Sequence, residues 1–268
     1  MSEPCGIITL ISDFGIRDGY VGAMKGVILG INPRAHIVDI SHSIERHNVL
    51  QAALILQNTC GHFPQGSVHL VVVDPGVGGK RSPLIAETED FFFVGPDNGV
   101  LSPVLETFPP IRVAFIENPR YILPPVSDTF HGRDIFAPAA AHCALGVPME
   151  KFGTQTKTYR SVKLPKAEVL RNGLRGQVIA VDGFGNLVTN ISRHHVEEYV
   201  APGPVTIQMG KTTITKISRS YQEVPQGSPL AIIGSWDTLE IAVNGGDARS
   251  KLGAGRGVAV VVRRSSRG

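Results

Sequence analysis

Cysteine is scarce in this 268-residue chain, and its three cysteines, Cys5, Cys60 and Cys143, form no C-x-x-C pair. That usage argues against a disulfide framework or a zinc knuckle and points to a reducing cytoplasm. Long apolar runs are missing: no stretch approaches the roughly 20 residues that a membrane-spanning helix needs. The opening Met1-Ser2-Glu3-Pro4 lacks the basic and apolar regions of a secretory signal. Charge of one sign is also lacking. The net charge is +3, and lysine and arginine are scattered except for Arg263-Arg264 and Arg267 near the C-terminus. A solvated end is expected there rather than a nucleic-acid arm, and neither nucleic acid nor a membrane is expected as a partner. No internal repeat, low-complexity segment or P-loop pattern is present.

Hydrophobic residues make up 42% and charged residues 18% of the chain, which describes a globular protein with a substantial core. Gly6–Ser12, Ala35–Ile40 and Val68–Val73 read as strands. Gly19–Leu29 and Val49–Cys60 carry apolar residues at helical spacing. Further strands are expected at Leu84–Ala86, Phe91–Val94 and Arg112–Phe115, and a buried alanine-rich helix over Ile135–Leu145. Strands alternating with helices predict an α/β domain with a mainly parallel sheet, whose ligands gather at the strands' carboxyl ends. After Gly153 the texture changes to short β-rich runs broken by glycine and proline: Gly176–Val181, Leu187–Ile191, Val205–Met209, Thr212–Ile217, Leu230–Ile233, Leu239–Val243 and Gly257–Val262. That pattern predicts a smaller C-terminal β-barrel or sandwich. The expected division is an N-terminal α/β domain over residues 1–160, a linker over 161–172 and a β domain over 173–268.

Two polar segments stand out in this apolar setting: Val73-Asp74-Pro75-Gly76-Val77-Gly78-Gly79-Lys80-Arg81 and Thr129-Phe130-His131-Gly132-Arg133-Asp134. Asp74 ends an apolar strand just before a Gly/Pro loop, a place suited to facing a site. Asp74, Arg81 and His131 together offer an acid, a cation and an imidazole, enough to activate a water molecule. Each also has a plainer reading. Asp74 and Arg81 could be a surface ion pair worth little, His131 alone could be structural, and Asp13 could cap the following helix or grip a sugar diol. Asp97-Asn98-Gly99 reads as a turn that could also shape the pocket. In Asp182-Gly183-Phe184-Gly185-Asn186 the phenylalanine could anchor a core, and Asn186 could read a purine edge or cap a turn. Gly76, Gly78 and Gly79 do not have dinucleotide-fingerprint spacing. Ser12-Asp13-Phe14-Gly15 lacks the other segments of a kinase.

In order, Ser12-Asp13-Phe14-Gly15, Val73-Asp74-Pro75-Gly76-Val77-Gly78, Pro96-Asp97-Asn98-Gly99, Thr129-Phe130-His131-Gly132-Arg133-Asp134 and Asp182-Gly183-Phe184-Gly185-Asn186 resemble the S-adenosyl-L-methionine hydrolases. These are also called SAM hydroxide adenosyltransferases, and they are relatives of the fluorinase and chlorinase. The resemblance covers almost the whole chain. It implies catalytic roles for Asp74, Arg81 and His131, and ribose binding by Asp13. Phe130 would line the ribose and sulfonium region, and Asn186 would read the adenine. Asp182, Ser235 and Asn244 would contact the methionine or adenine portions, and Tyr221 would stack on adenine. It further implies a homotrimer whose substrate lies between one subunit's N-terminal domain and its neighbour's C-terminal domain. Where the fluorinase has a tyrosine this chain has Asp74; where it has a halide-contacting serine, Gly132; where it has a tryptophan beside the ribose, His47. A fixed carboxylate at the attacking position disfavours a halide and favours water.

The reaction so implied is attack of water on ribose C5′ of S-adenosylmethionine, which displaces methionine and gives adenosine. The molecule is then a substrate, and no cofactor or metal is expected. Rival readings are a halogenase forming 5′-halo-adenosine, an adenosyl-binding protein without catalysis, and a metal-dependent phosphoesterase using Asp13, Asp74, Asp97, His131 and Asp134. The last lacks close-spaced ligand pairs such as H-x-H or D-x-D.

Overall fold

The protein is described from a computed structural model covering residues 3–200 and 203–264. Met1, Ser2 and Arg267, which entered the readings of the two ends, lie outside the described residues. The chain divides into two compact units, Met1–Lys163 and Leu164–Gly268.

The first unit runs β1 (Ile7–Ser12), α1 (Tyr20–Ile31), β2 (His36–Ser41), α2 (Val49–Thr59), β3 (Val68–Val72), β4 (Pro83–Thr88), β5 (Phe92–Pro96), α3 (Ser102–Thr107), β6 (Pro110–Phe115) and α4 (Ala137–Ala144). Its six strands lie in the order β2-β1-β3-β5-β4-β6. The β2-β1, β1-β3 and β3-β5 pairs are parallel. β4 runs antiparallel to both β5 and β6, so the sheet is parallel on one side and antiparallel at the other edge. Strand alternation builds a core on each face. Leu70 and Val72 pack with Ile8, Met24, Ile28 and Phe136 on the α1/α4 side. Val71 and Val73 pack with Ala52, Leu56, Phe93 and Val104 on the α2/α3 side.

The chain leaves β1 for β2 on one side and returns to β3 on the other, so the strand order reverses between β1 and β3. A crevice opens at the carboxyl ends of strands at such a point. Ser12, the last residue of β1, pairs with Val72, the last of β3. Asp13 and Asp74 therefore emerge side by side at this switch point. The expected Ile135–Leu145 helix begins differently: Gly132–Phe136 form a π-helical turn, with Ala137 N donating to Gly132 O, and α4 follows. No helix among the described residues is long and apolar enough to cross a membrane.

The second unit comprises β7 (Glu168–Leu170), β8 (Gly173–Val181), β9 (Leu187–Ser192), α5 (Arg193–Tyr199), β10 (Val205–Met209), β11 (Thr212–Ile214), β12 (Ile217–Ser218), β13 (Pro229–Ile233), β14 (Thr238–Val243), α6 (Ala248–Leu252) and β15 (Ala259–Arg264). Eight strands follow the order β11-β10-β15-β8-β9-β14-β13-β12, with β7 added on β8. All pairs are antiparallel except β12-β13. The sheet curls toward closure, bringing β11 near β13, around Leu174, Leu187, Ile207, Leu239, Ile241 and Val260.

Three details depart from expectation. The stretch 161–172, read as linker, contains β7. The run Thr212–Ile217 is split into β11 and β12. Arg263 and Arg264, read as part of a loose end, are the exposed final residues of β15.

Candidate active site

Asp74 and Arg81 are not a surface pair: each side chain is 4% exposed. Arg81 donates from Nε at 2.8 Å and from Nη2 to the same Asp74 oxygen, Oδ2. Among the described residues Asp74 Oδ1 receives a single hydrogen bond, from the Gly76 N–H at 3.2 Å, and keeps acceptor capacity free. Arg81 Nη2 also lies 2.6 Å from His131 Nδ1. A guanidinium can only donate, so Nδ1 accepts and the imidazole proton is on Nε2. Burial lowers the pKa of His131, and the Arg81 charge lowers it further. Asp74, Arg81 and a neutral His131 thus form one hydrogen-bonded chain. Phe136 backs it, its ring centre 5.2 Å from the Arg81 guanidinium carbon.

The local sequence explains why distant segments meet here. Gly78 has φ +72°, and a Cβ there would run into the Asp128 carbonyl. The loop carrying Asp74 and Arg81 can therefore lie directly against the segment leading to His131. Asn98 braces the same strand end: its Nδ2 donates to Val73 O at 2.8 Å and its Oδ1 accepts from Val100 N. The Asp97-Asn98-Gly99 turn thus shapes the site from behind.

Asp13 is not a helix cap. The N-cap of α1 is Gly19, with no side-chain cap, and Asp13 Oδ2 accepts the His47 N–H at 2.8 Å. His47 has φ +64°, a strained conformation for a non-glycine residue that this hydrogen bond helps to hold. Beneath Asp13, buried Ser12 shares a 2.7 Å hydrogen bond with His42 Nδ1. His42 Nε2 lies 3.0 Å from Asp39 Oδ1, close enough for an ion pair but off-line for a hydrogen bond. Ser12 is fully buried, so this serine–histidine–aspartate row supports the Asp13 turn and presents no nucleophile.

Asp13, Asp74, Phe130 and His131 all line one cavity of about 390 Å³, together with Phe14, Tyr20, Asp18, Arg46, His47 and Gly132. Phe14, Tyr20 and Phe130 make an aromatic wall, with ring centres 5.0 to 5.8 Å apart. Sequence reasoning missed Tyr20, whose only signal was an aromatic residue opening α1. A Cβ at Gly132 would sit 3.2 Å from Met24 Sδ and 3.3 Å from the Phe14 and Phe130 rings, so these must yield before a serine fits. Asp134 is held by Arg133 and the Ser127 N–H, and Asp97 accepts from Arg160 N. Two of the four carboxylates of the phosphoesterase reading, Asp97 and Asp134, therefore have other partners.

The second unit carries its own site. Asp182 Oδ1 accepts the Phe184 and Asn186 N–H groups, and Oδ2 accepts Asn186 Nδ2 at 2.8 Å. The Asn186 amide also lies beside the Tyr221 hydroxyl. Phe184 is 82% exposed, which overturns its reading as a core anchor. Phe184, Asn186 and Tyr221 line a largely apolar cavity of about 340 Å³ with Val243, Gly245 and Gly246. Two aromatic rings and a fixed amide suit a flat heterocycle. Asp182 acts behind this slot as its organiser. Asn244 and Ser235 do not line it: Asn244 Nδ2 donates to Val224 O, and Ser235 is exposed in the turn after β13.

A switch-point cavity lined by carboxylates in one unit, and a largely apolar aromatic cavity in the other, are the shape and chemistry that a nucleoside-handling protein would need. Models of the SAM hydroxide adenosyltransferase N-terminal and C-terminal domains match residues 8–153 and 176–261, and the chain belongs to that family. It is 38% identical to the (R)-S-adenosyl-L-methionine hydrolase of Thermus thermophilus, over 94% of this chain and 98% of that one. The crystal structure of a conserved protein from Thermotoga maritima superposes with a TM-score of 0.90 at 38% identity, covering 96% of this chain and all of that one. A fluorinase from Actinopolyspora mzabensis is more distant, 26% identical over 97% of both chains.

Proposed function

We propose that this protein hydrolyses S-adenosyl-L-methionine to adenosine and L-methionine. The observation that carries this reading is the buried Asp74–Arg81–His131 chain on the wall of a cavity that also holds Asp13. The relatives named S-adenosyl-L-methionine hydrolase support it over most of the chain.

The sulfonium needs no general acid, because it leaves as a neutral thioether. What the reaction needs is a water molecule aligned opposite the C5′–sulfur bond and a group to take its proton. Water oxygen bonds to C5′ as the C5′–S pair departs with methionine, and the proton lost from that oxygen passes to Asp74 and then to solvent. The free acceptor capacity of Asp74 Oδ1 suits this task, while Oδ2 is occupied by Arg81. Neutral His131 helps to orient the water, and Asp13 accepts hydrogen bonds from the ribose hydroxyls. The Phe184/Tyr221 slot takes the adenine. No metal or other cofactor enters the scheme. A homotrimer, in which a neighbour's second domain supplies the adenine slot, follows from the family resemblance and is part of the proposal, as is a cytoplasmic setting.

The test is to incubate the protein with S-adenosylmethionine in chloride buffer with chelator, in water enriched in ¹⁸O. Adenosine labelled at its 5′-hydroxyl, with methionine, is the expected result. A 5′-halo-adenosine would move the protein to halogenase chemistry, and unchanged substrate would leave only binding. Sedimentation of the same preparation tests the trimer.

A further inference from the structure

Glu240 is a buried carboxyl that the scheme above does not use. It lies mid-strand in β14, paired with Ile232 on β13 and Val188 on β9. Its neighbours Leu239 and Ile241 point into the main core of the second unit, so alternation turns Glu240 to the opposite face. There it is nevertheless only 6% exposed. No hydrogen bond or ion pair to its carboxyl is formed among the described residues. Its oxygens lie so close to the Gly234 Cα that any Cβ there would collide with Oε1. The titratable groups facing it are Asp182, from the β8–β9 loop, and Tyr221, from the turn after β12. Val188 and Ile232 bring no charge.

One carboxyl thus packs on the Gly234–Ser235 turn and interacts electrostatically with two further segments, the Asp182–Asn186 loop and Tyr221. A buried carboxyl with no cationic partner is tolerated as the neutral acid, which can share a proton with a neighbouring oxygen. As a carboxylate it repels Asp182, the group that holds Asn186 in place.

We propose that Glu240 is a positioning residue for the adenine slot: as a neutral acid it holds these three segments together, and its ionisation loosens them, so that affinity for the adenosyl group falls as pH rises. The proposal rests on the slot being the adenine subsite. Burial, aided by the Asp182 charge, pushes the Glu240 pKa up to about 7. The sign follows by linkage. Binding that requires the protonated form is undiminished below the free protein's titration, and it weakens by up to about tenfold per pH unit above it.

Adenosine is the probe, because it carries no titrating group of its own across this range. Calorimetric titration of the full-length protein between pH 5.5 and 8.5 is expected to give a Kd that rises above pH 7. Glu240→Gln, which keeps the shape and cannot ionise, is expected to hold the low-pH affinity throughout. A wild-type Kd that stays flat, or a Glu240→Gln protein that retains the pH dependence, would overturn the proposal while leaving the adenine slot standing. Absence of adenosine binding at every pH would remove the slot itself, and this proposal with it. The sole tryptophan, Trp236, adjoins the Gly234–Ser235 turn and gives a second readout. Its emission is expected to titrate near pH 7 in the wild type and at lower pH in Asp182→Asn, where the repelling charge is gone. An unmoved midpoint would count against the proposal even if Glu240→Gln failed to fold.

Discussion

Asp74→Asn tests the proposed proton acceptor apart from the rest of the site. The amide is nearly isosteric and keeps an oxygen that Arg81 can still address, but it cannot take a proton from water. Loss of general-base assistance lowers turnover by about 10²–10⁴-fold, which is about 3–5 kcal/mol in the barrier. The structure also sets a stability cost, because Asp74 and Arg81 are each only 4% exposed. Weakening one buried, charge-assisted hydrogen bond costs about 1.5–3 kcal/mol. For a chain of this size that lowers Tm by roughly 3–12 °C. Asp13 and the Phe184/Tyr221 slot are untouched, so adenosine affinity should stay within about threefold of wild type, an error margin of well under 1 kcal/mol. Adenosine release measured by chromatography under single-turnover conditions, a thermal melt and a calorimetric Kd together separate the three effects. Turnover within tenfold of wild type, in a protein with the expected drop in Tm, would refute the assignment of Asp74 as proton acceptor.

Other expectations follow from the same geometry. His131 is held neutral by burial and by Arg81; its lowered pKa means that protonation begins only below the usual 6.5, so the acid limb of kcat/KM should fall below that pH, and a limb centred above 7 would contradict the neutral imidazole. Gly132→Ser places a Cβ against Met24, Phe14 and Phe130 and should cost about 1–3 kcal/mol of stability without yielding a halogenated product in chloride; chromatography of the reaction checks the second point. Phe184→Ala removes an exposed ring and should shift stability by no more than about 0.5 kcal/mol, yet weaken adenosine binding by about 1–3 kcal/mol through lost stacking; a large fall in Tm would return Phe184 to a core role.

The legible parts of this protein were those governed by local pattern. Val68–Val73 could be read as a strand because an apolar run interrupted only by His69 and buried on both faces leaves little else, and Asp74 stood out because a carboxylate ends that run. The reversed direction of β4 carried no comparable signal, since short apolar strands look alike in either direction. Phe184 kept a possible core reading because composition does not distinguish an aromatic residue that fills a core from one that stands exposed on a cavity wall. Tyr20 and Asn98 act through partners far away in sequence, the Phe130 ring and the Val73 carbonyl, and the pairings exist only after the chain has closed. Glu240 offered no cue at all: in sequence it is one charged residue alternating with apolar ones, the ordinary mark of a solvent-facing strand position.

The π-helical turn at Gly132–Phe136 places stability and alignment in opposition. Its hydrogen bond spans one residue more than those of the α-helix it leads into, and so it presents His131 to Arg81 in a phase the regular helix would not give. Deleting a single residue from the turn would let α4 extend as an ordinary helix with better internal bonding, while rotating everything before it by about 100°. The smoother helix would carry its imidazole away from the guanidinium. Variants selected here for heat resistance alone are therefore expected to drift toward regular helix and lose turnover as they gain in Tm.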